Sequence, residues 1–215
     1  MCLRKTLTEG YDYTVQRGSF AEQTRRELDY VVIQITYPRA RPLVPDVPPG
    51  VPPPTSMEYV ESYLPYLMTS QKKEGEEYTY GQYLEKQIQE VIKMHKGSRK
   101  HYTNQAFMTV GGPETISFPD PPCLRSIDTK VYDGRLHFFV YFRSWDLWAG
   151  FPSNLAALQL LKEYMSSEIG VEDGELVATS KGLHLYKYAW EQARIAAGMR
   201  WLKIAQLSLF QQDGS

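Results

Sequence analysis

Apolar residues recur at helical spacing in three long segments of the chain. These segments are residues 78–96, 154–170 and 188–206. Gly97 follows the first and Gly170 ends the second, and glycine is favoured just past a helix because it adopts left-handed backbone angles without a steric penalty. A shorter pattern over residues 56–68 begins with a serine cap and an acidic first turn, which predicts a fourth helix that Pro65 bends or shortens.

Five further segments carry the β-branched and aromatic residues that favour strands. They are residues 30–37, 102–110, 126–131, 135–142 and 174–186. The sequence Tyr132-Asp133-Gly134 joins the third to the fourth and is typical of a tight hairpin turn. Segment 135–142 is apolar on both faces, which predicts a central position in a sheet. Segment 30–37 predicts a buried strand that stops at Pro38.

Residues 38–54 contain eight prolines, too many for a helix or a central strand. We expect a surface loop with polyproline character there, in preference to a ligand for a proline-binding module. Elsewhere the long helices alternate with strands, and this order favours an α+β fold with helices packed over one face of a sheet. Because no repeat or long linker divides the chain, residues 1–215 are expected to form a single domain.

Composition and charge narrow the function classes. The chain is 42% hydrophobic and 23% charged, as expected of a folded globular protein. A formal net charge of -1 argues against a nucleic-acid or anionic-membrane binder, although a basic pocket for one phosphate stays possible. The sequence shows no membrane span and no signal-peptide core, which predicts a cytoplasmic protein. Two cysteines without neighbouring Cys or His partners predict neither a disulfide nor a metal site.

Two segments carry candidate chemistry. In P-P-C (121–123), two prolines hold Cys123 in a stiff, extended stretch. In F-R-S-W-D-L-W-A-G-F-P-S-N (142–154), Arg143 and Ser144 follow a predicted strand and together offer donors suited to one phosphate. Taken singly, each has a structural explanation: a free cysteine is usually a small buried hydrophobe, and Asn154 resembles a helix cap.

Five motifs in order along the chain resemble those of the thymidylate synthase family. They are Y-T-Y-G-Q-Y-L (78–84), G-S-R-K-H-Y (97–102), P-P-C (121–123), R-S-W-D-L-W-A-G-F-P-S-N (143–154) and H-L-Y (184–186). Any one would be weak evidence, but five in family order are specific. The compact chain is similar to the archaeal branch. The resemblance implies a mixed sheet with helices on one face and a homodimer formed through the other face.

The resemblance also implies a reaction, the reductive methylation of dUMP to dTMP. A methylene-tetrahydropterin would donate both the carbon and the hydride, either 5,10-methylenetetrahydrofolate or methylene-tetrahydromethanopterin. Cys123 falls at the position of the nucleophile that adds to C6 of the pyrimidine. Arg143 falls at the position that binds the 5′-phosphate and can lower the pKa of the thiol.

The family also supplies a tyrosine and a glutamate for proton transfer. Tyr80 resembles the tyrosine of the proton network. Glu61 is our candidate for the general acid and base, with Glu58 as its rival, because it precedes an apolar run as the family's glutamate does. An ordinary surface carboxylate is the alternative interpretation of either residue.

Further phosphate contacts follow from the resemblance. The family donates an Arg-Arg pair across a dimer interface, and this chain has Arg99 and Lys100 at those positions. Lysine keeps the charge but loses the bidentate geometry of arginine. An N-terminal arginine completes the family's phosphate site, for which Arg17 is the candidate and Arg25 the rival, and Ser144 would be a second phosphate contact or would orient Asn154.

Base and sugar recognition would rest on four residues. Asn154 can donate to uracil O4 while accepting from N3–H, whereas cytosine presents the opposite pattern. The related deoxycytidylate hydroxymethylases carry Asp at that position, so Asn154 favours dUMP. Asp146 matches a residue that binds the nucleotide or cofactor ring. His184 and Tyr186 lie two apart on a predicted strand and would reach the 3′-hydroxyl together.

The chain also departs from the family pattern. Leu124 and Phe142 replace polar residues of the bacterial enzymes, and the last residues lack the apolar tail that closes over folate there. Water in place of hydride at the exocyclic methylene would give a hydroxymethyl product, so a dCMP or CMP hydroxymethylase is the alternative. A third class is a catalytically silent relative that binds a nucleotide or RNA, against which the intact Cys123 argues.

Overall fold

A computed structural model describes residues 1–199, which form five helices and nine strands. The helices are α1 (Cys2–Glu9), α2 (Met57–Met68), α3 (Gly81–Gly97), α4 (Gly150–Ile169) and α5 (Trp190–Ala196). The strands are β1 (Tyr11–Thr14), β2 (Thr24–Leu28), β3 (Val31–Ile35), β4 (Phe107–Thr109), β5 (Leu124–Tyr132), β6 (Arg135–Phe142), β7 (Trp145–Asp146), β8 (Glu172–Ser180) and β9 (Leu183–Tyr186). Short 3₁₀ turns cover Arg99–His101, Pro113–Ser117 and Lys187–Ala189.

The strands form two sheets. The five-stranded sheet has the order β3-β8-β6-β5-β4, in which only β6 and β8 are parallel. The four-stranded sheet has the order β1-β2-β9-β7, in which β7 and β9 are parallel. Helix α4 lies between β7 and β8 in the chain and packs on β6 and β8. This crossover allows β6 and β8 to run in the same direction.

Helices α2, α3 and α4 pack together over one face of the five-stranded sheet. The side chains of β6 alternate accordingly: Phe138 and Val140 are buried, whereas Phe139 points to the opposite, exposed face. Buried residues of the helices, such as Leu84 and Leu158, complete the core on the covered side. The predicted α+β fold with helices on one face of a mixed sheet is therefore confirmed.

Several predicted elements are found close to their expected bounds. Helix α2 covers the predicted segment, and the backbone N–H of Tyr59 donates to the Ser56 hydroxyl as expected of a cap. Pro65 lies inside this helix, which continues to Met68. The turn between β5 and β6 has left-handed angles at Asp133 (φ 50°) and Gly134 (φ 70°), as a two-residue hairpin requires.

Other predictions were wrong in physically informative ways. Segment 174–186 is two strands in different sheets, because the chain turns at Gly182 (φ +131°), where a Cβ would lie 3.2 Å from the Glu27 carboxylate. Strand β3 is an edge strand with Val32 65% exposed, so it is not a buried strand. The hairpin of β1 and β2 was missed because its charged sequence lacks a strand pattern.

The helix bounds also need correction. Helix α4 begins four residues before Asn154, so Asn154 is inside the helix and does not cap it. The predicted last helix corresponds to α5, and residues 200–206 of that prediction lie outside the described residues. Within residues 1–199, no helix has the length and apolar character needed to cross a bilayer. Cys2 and Cys123 are both free thiols.

A lysine is completely buried between α4 and β8. The Lys162 side chain is 0% exposed, and its Nζ lies 3.1 Å from Asp173 Oδ1 and donates to the Gly174 carbonyl. Gln159 donates to the other Asp173 oxygen at 2.9 Å. Burial lowers the pKa of Lys162, and the Asp173 charge opposes this effect. The carboxylate is thus the main compensation for a charge inside the core.

Replacing Asp173 with alanine is expected to lower the free energy of unfolding by about 3–5 kcal/mol, because a buried charge loses its partner. Urea titration of both proteins measures the difference. The matched control is Glu168→Ala, which removes the half-exposed partner of Lys96 at 3.5 Å and should cost less than about 1 kcal/mol. Equal losses in the two variants would contradict this account of the buried pair.

Candidate active site

A cavity of about 990 Å³ lies between the four-stranded sheet and the loop before β5. Seven of the residues predicted from the sequence line it: Arg17, Cys123, Arg143, Ser144, Asp146, His184 and Tyr186. They come from the β1–β2 loop, the P-P-C segment, the β6–β7 junction and β9. The fold thus gathers most of the predicted site around one cysteine.

Arg143 holds the cysteine-bearing segment in place. Its Nε donates to the carbonyls of Pro121 and Pro122, each at 3.2 Å, and its Nη2 donates to Pro121 at 2.5 Å. The Arg143 backbone N–H also donates to the Cys123 carbonyl at 2.8 Å. A guanidinium has five donors in a rigid fork, so one side chain can bind both carbonyls and keep donors for a ligand.

The charges around Cys123 act in opposite directions. Burial raises the pKa of the thiol, Arg143 and Arg25 lower it, and Asp120 raises it. The net direction is upward, so the protonated thiol is favoured at neutral pH. The guanidinium groups of Arg143 and Arg25 nevertheless stabilise the thiolate once the thiol has lost its proton.

Strands β2 and β9 place four polar side chains side by side in the cavity. Their antiparallel register pairs Arg25 with Tyr186 and Glu27 with His184. Arg25 forms an ion pair with Glu27 at 2.6 Å and donates to the Ser144 hydroxyl at 3.3 Å. Arg25 is therefore the arginine in direct contact with Ser144, while Arg17 lines the same cavity from the loop.

His184 lines the cavity and has one ring nitrogen without a partner among the described residues. Its Nδ1 lies 2.9 Å from the Gly182 carbonyl, which only accepts, so Nδ1 carries the proton and Nε2 holds a lone pair. Nε2 is buried and has no hydrogen-bond partner among the described residues. Burial, assisted by the charge of Arg25, lowers the pKa of His184 to about 4. The imidazole is therefore neutral near pH 7 and can accept from a hydroxyl.

Asp146 caps helix α4. Its carboxylate accepts from the backbone N–H groups of Trp148 (3.0 Å), Ala149 (3.2 Å) and Gly150 (3.4 Å). Burial raises the pKa of Asp146, and these three donors oppose the rise. Asp146 thus performs the capping that the sequence had suggested for Asn154, and it fixes where α4 starts beside the cavity.

Asn154 lies outside the large cavity and lines a second one of about 490 Å³, together with Tyr59 and Gly150. Its Oδ1 accepts from the indole N–H of Trp145 at 2.9 Å, and its Nδ2 donates to the Tyr63 hydroxyl at 3.0 Å. Because an indole N–H can only donate, this bond fixes the orientation of the amide. One amide N–H is left for another acceptor.

A row of tyrosine rings runs from the second cavity, lined by Tyr59, to the large one. Tyr63, Tyr66 and Tyr78 follow one another with ring centroids 5.4 and 6.4 Å apart, and Tyr78 lines the large cavity. The Tyr80 hydroxyl accepts from the Leu124 N–H at 3.4 Å, directly after the cysteine. Burial raises the pKa of Tyr78 to about 12, and it also raises the pKa of Tyr80 well above the ordinary value of a phenol. These phenols are neutral donors near pH 7.

Besides Asn154 and Tyr80, four predicted residues do not line the large cavity of this chain. Glu61 and its rival Glu58 are exposed on α2. Arg99 and Lys100 are exposed on the turn after α3, where Lys100 has a left-handed backbone (φ 56°). Their functional roles, like those of the other predicted site residues, stay predictions.

Sequence reasoning missed several residues that shape the site. Tyr63 and Trp145 are hydrogen-bonded to the Asn154 amide, and no local sequence motif predicts either contact. Glu27 lies in a charged strand that showed no clear pattern. Asp120 directly precedes the P-P-C segment, and no pattern in the sequence marks it as part of the site. Among residues 1–199, no group of His, Cys, Asp or Glu side chains is arranged to hold a metal ion.

Comparisons with known proteins identify the family of the chain. The sequence profile of the family described as thymidylate synthase matches residues 66–213. A protein of Methanosarcina acetivorans named "Putative thymidylate synthase" is 31% identical over 140 residues, which cover 62% of this chain and 64% of that protein. One of the same name from Methanothermobacter marburgensis is 28% identical over 209 residues, 89% of this chain and 90% of its own length. With the first relatives, the match spans 64% of their length.

His184 is expected to titrate with a midpoint near pH 4, well below the ordinary histidine pKa of about 6.5. The folded protein then binds fewer protons than the unfolded chain between these pH values, so the stability that His184 contributes is present above pH 6.5 and is lost as the pH falls toward 4. NMR of the imidazole resonances, assigned with His184→Gln, measures the midpoint.

Urea unfolding at pH 7 and pH 5 provides the second test. The advantage of the wild type over His184→Gln should shrink at pH 5, because only the wild type has this proton-linked term. A midpoint near 6.5 would show that the imidazole is not held neutral.

Proposed function

The chain belongs to the thymidylate synthase family, and we propose that it is a thymidylate synthase that converts dUMP to dTMP. The observation that carries this proposal is the large cavity, which combines Cys123 with Arg143, Ser144 and His184. A nucleophile, a phosphate anchor and a hydroxyl acceptor are the three functions that covalent chemistry on a pyrimidine nucleotide needs. The proposal covers the chain as one catalytic domain.

The nucleotide would bind through its two polar ends. Arg143, Arg25 and Ser144 form a cluster of donors suited to the 5′-phosphate, and Arg17 would add a second cation from the loop. The 3′-hydroxyl would donate to the neutral Nε2 of His184, with Tyr186 beside it. These two anchors would direct the base toward Cys123.

Cys123 would then add to C6 of the pyrimidine through its sulfur. The thiol must lose its proton first, and Arg143 and Arg25 favour the thiolate that results. Addition moves the C5–C6 electron pair to C5, which becomes the nucleophile for carbon transfer. A methylene-tetrahydropterin, either tetrahydrofolate or tetrahydromethanopterin, would supply the one-carbon unit and the hydride.

The residues beside Asn154 fit a ring-bearing carrier. Tyr59 is half exposed at the edge of the second cavity and offers an aromatic face to the carrier ring, whereas the free N–H of Asn154 would serve the base. Asp146 lines the large cavity and Gly150 lines the second, and the Gly150 N–H donates to the Asp146 carboxylate at 3.4 Å, so the start of α4 lies between the two cavities. We propose that the carrier binds there, next to the nucleotide.

Proton transfer at the base needs a general acid and base, and the described residues around Cys123 supply neutral tyrosines for part of this role. Tyr80 and Tyr78 are neutral phenols near Cys123 and would donate hydrogen bonds. Glu61 stays our proposal for the general acid and base on the strength of the resemblance, with Glu58 as its rival, although both lie on the exposed side of α2.

We also propose a homodimer that completes the phosphate site. The face of the five-stranded sheet opposite the helices exposes Val32, Phe107 and Phe139, an apolar surface suited to a second copy. Arg99 and Lys100 lie outside their own chain's cavity, and the left-handed angle at Lys100 costs energy that a functional constraint would explain. Donation of both cations to the partner's cavity would account for these positions.

The alternative is a pyrimidine nucleotide hydroxymethylase acting on dCMP or CMP. One observation favours it: Trp145 uses one lone pair of the Asn154 carbonyl and Tyr63 accepts one amide N–H, and the remaining N–H suits either uracil O4 or cytosine N3. The same cavity and nucleophile would serve both reactions. Only the base and the fate of the methylene group distinguish them.

Incubation with methylene-tetrahydrofolate and an equal mixture of dUMP and dCMP tests the proposal, with products identified by mass spectrometry. We expect dTMP from the wild type and none from Cys123→Ser, whose hydroxyl cannot replace the thiolate. Methylene-tetrahydromethanopterin is the second carrier to supply. A hydroxymethylated product would favour the alternative, and retained activity in Cys123→Ser would contradict the covalent route.

Asn154→Asp is expected to shift preference from dUMP toward dCMP by about tenfold or more in kcat/KM, because a carboxylate cannot donate to O4 but accepts from the cytosine amine. Asp can still accept from Trp145 and Tyr63, so the fold should be retained. Competition between the two nucleotides measures the ratio. An unchanged preference for dUMP would refute base recognition by Asn154.

A further inference from the structure

The loop between β1 and β2 is bonded to the segment that presents Cys123. The backbone N–H of Ser19 donates to Asp120 Oδ2 at 2.9 Å, and the Ser19 hydroxyl donates to the same oxygen. Asp120 lies three residues before Cys123, between prolines that keep the segment stiff. Hydrogen bonds to an ionised carboxylate are stronger than those between neutral groups. The two segments, about one hundred residues apart in sequence, are therefore joined at one carboxylate.

Gly18 permits this close approach. Its φ of +85° is in the left-handed region, and a Cβ at this position would lie 2.5 Å from Asp120 Oδ1. The base of the loop is closed by backbone bonds from Val15 to Gln23 (3.0 Å) and from Glu22 to Val15 (2.9 Å). The backbone of the loop thus places Ser19 where Asp120 can accept from it.

The same loop carries two side chains to the cavity. Phe20 stacks on Tyr186 with ring centroids 4.7 Å apart, and Arg17 lines the cavity beside it. Both residues are otherwise exposed, so little apolar burial holds the loop in position. Its attachment to Asp120 is therefore a large part of what keeps Arg17 over the cavity.

We propose that Asp120 is a positioning residue that joins the phosphate-binding Arg17 to the nucleophile segment, so that the two ends of the site form one preorganised unit. This inference rests on the proposed function, since it assigns Arg17 a phosphate. Without the attachment, nucleotide binding would have to order the loop and the long Arg17 side chain, and that entropy cost would weaken affinity.

Asp120 also acts on Cys123 through its charge. Three charged groups influence the thiol: Arg143 and Arg25 favour the thiolate, and Asp120 opposes it. The neighbouring Tyr78 is a neutral phenol and adds no charge near pH 7. Two variants separate the hydrogen bonds that Asp120 accepts from the effect of its charge. Asp120→Asn keeps an acceptor oxygen for Ser19 but loses the charge, whereas Asp120→Ala loses both.

Three measurements on Asp120→Asn, Asp120→Ala and the wild type test the proposal. Hydrogen exchange of residues 15–23 should be faster in Asp120→Ala than in Asp120→Asn, and dUMP should bind about fivefold more weakly to the alanine variant, the effect of one lost hydrogen bond. The pH midpoint of Cys123 alkylation by iodoacetamide should fall in both variants alike, because both lack the negative charge.

The Cys2 peptide is the internal control for alkylation. Glu90→Gln is the matched control, since it removes a surface carboxylate paired with Lys93 that does not line the cavity. It should leave exchange, binding and the Cys123 midpoint unchanged. Ser19→Ala keeps the backbone donor and should therefore weaken dUMP binding less than Asp120→Ala does.

If the two variants show equal hydrogen exchange in the loop or equal affinity for dUMP, Asp120 does not hold the loop in place. If the pH midpoint of Cys123 alkylation is unchanged in both variants, the charge of Asp120 does not act on the thiol. Failure of the wild type to bind dUMP would instead reject the proposed function. In that case exchange and alkylation, which need no nucleotide, still decide whether Asp120 positions the loop and the thiol. Thermal unfolding by circular dichroism verifies that each variant is folded.

Discussion

The bond between the Arg143 guanidinium and the carbonyls of Pro121 and Pro122 is the contact on which the site depends. Prolines have no N–H, so this segment cannot enter a strand ladder on its own, and its carbonyls need donors from elsewhere. A half-buried guanidinium equally needs acceptors. The guanidinium donates the hydrogen bonds that the proline carbonyls need, and the carbonyls are its acceptors. The Cys123 thiol is therefore held at a fixed position beside a positive charge.

Residues next to the Arg143 contact connect the two sheets. Arg143 follows β6 of the five-stranded sheet, and its neighbour Ser144 accepts from Arg25 of the four-stranded sheet. The turn at Gly182 then sends the chain from one sheet to the other and supplies the carbonyl that sets the protonation of His184. The cavity is therefore a junction between sheets, which explains why its charged groups come from distant parts of the chain.

The departures from the family pattern have a structural counterpart. Phe142 and Leu124 are almost fully buried, and the Phe142 ring stacks on Trp145 at 4.0 Å between centroids. Trp145 in turn donates its indole N–H to Asn154. The stacked Phe142 ring supports Trp145, and Trp145 and Tyr63 together fix the Asn154 amide.

The sequence by itself determined the elements and the chemistry that depend on local pattern. Helical periodicity identified α2, α3 and α4, the Asp133-Gly134 turn identified the β5–β6 hairpin, and motif order placed Cys123 and Arg143 in a family. These features follow from near neighbours in the chain, where backbone sterics and side-chain spacing act.

Tertiary structure alone decided the rest. It split segment 174–186 between two sheets, and it brought Tyr63 to Asn154 and Ser19 to Asp120. Each of these outcomes is a contact between groups far apart in sequence or a backbone turn imposed by packing. No local pattern encodes such pairings, because they are selected only when buried donors and acceptors must find partners in the folded chain.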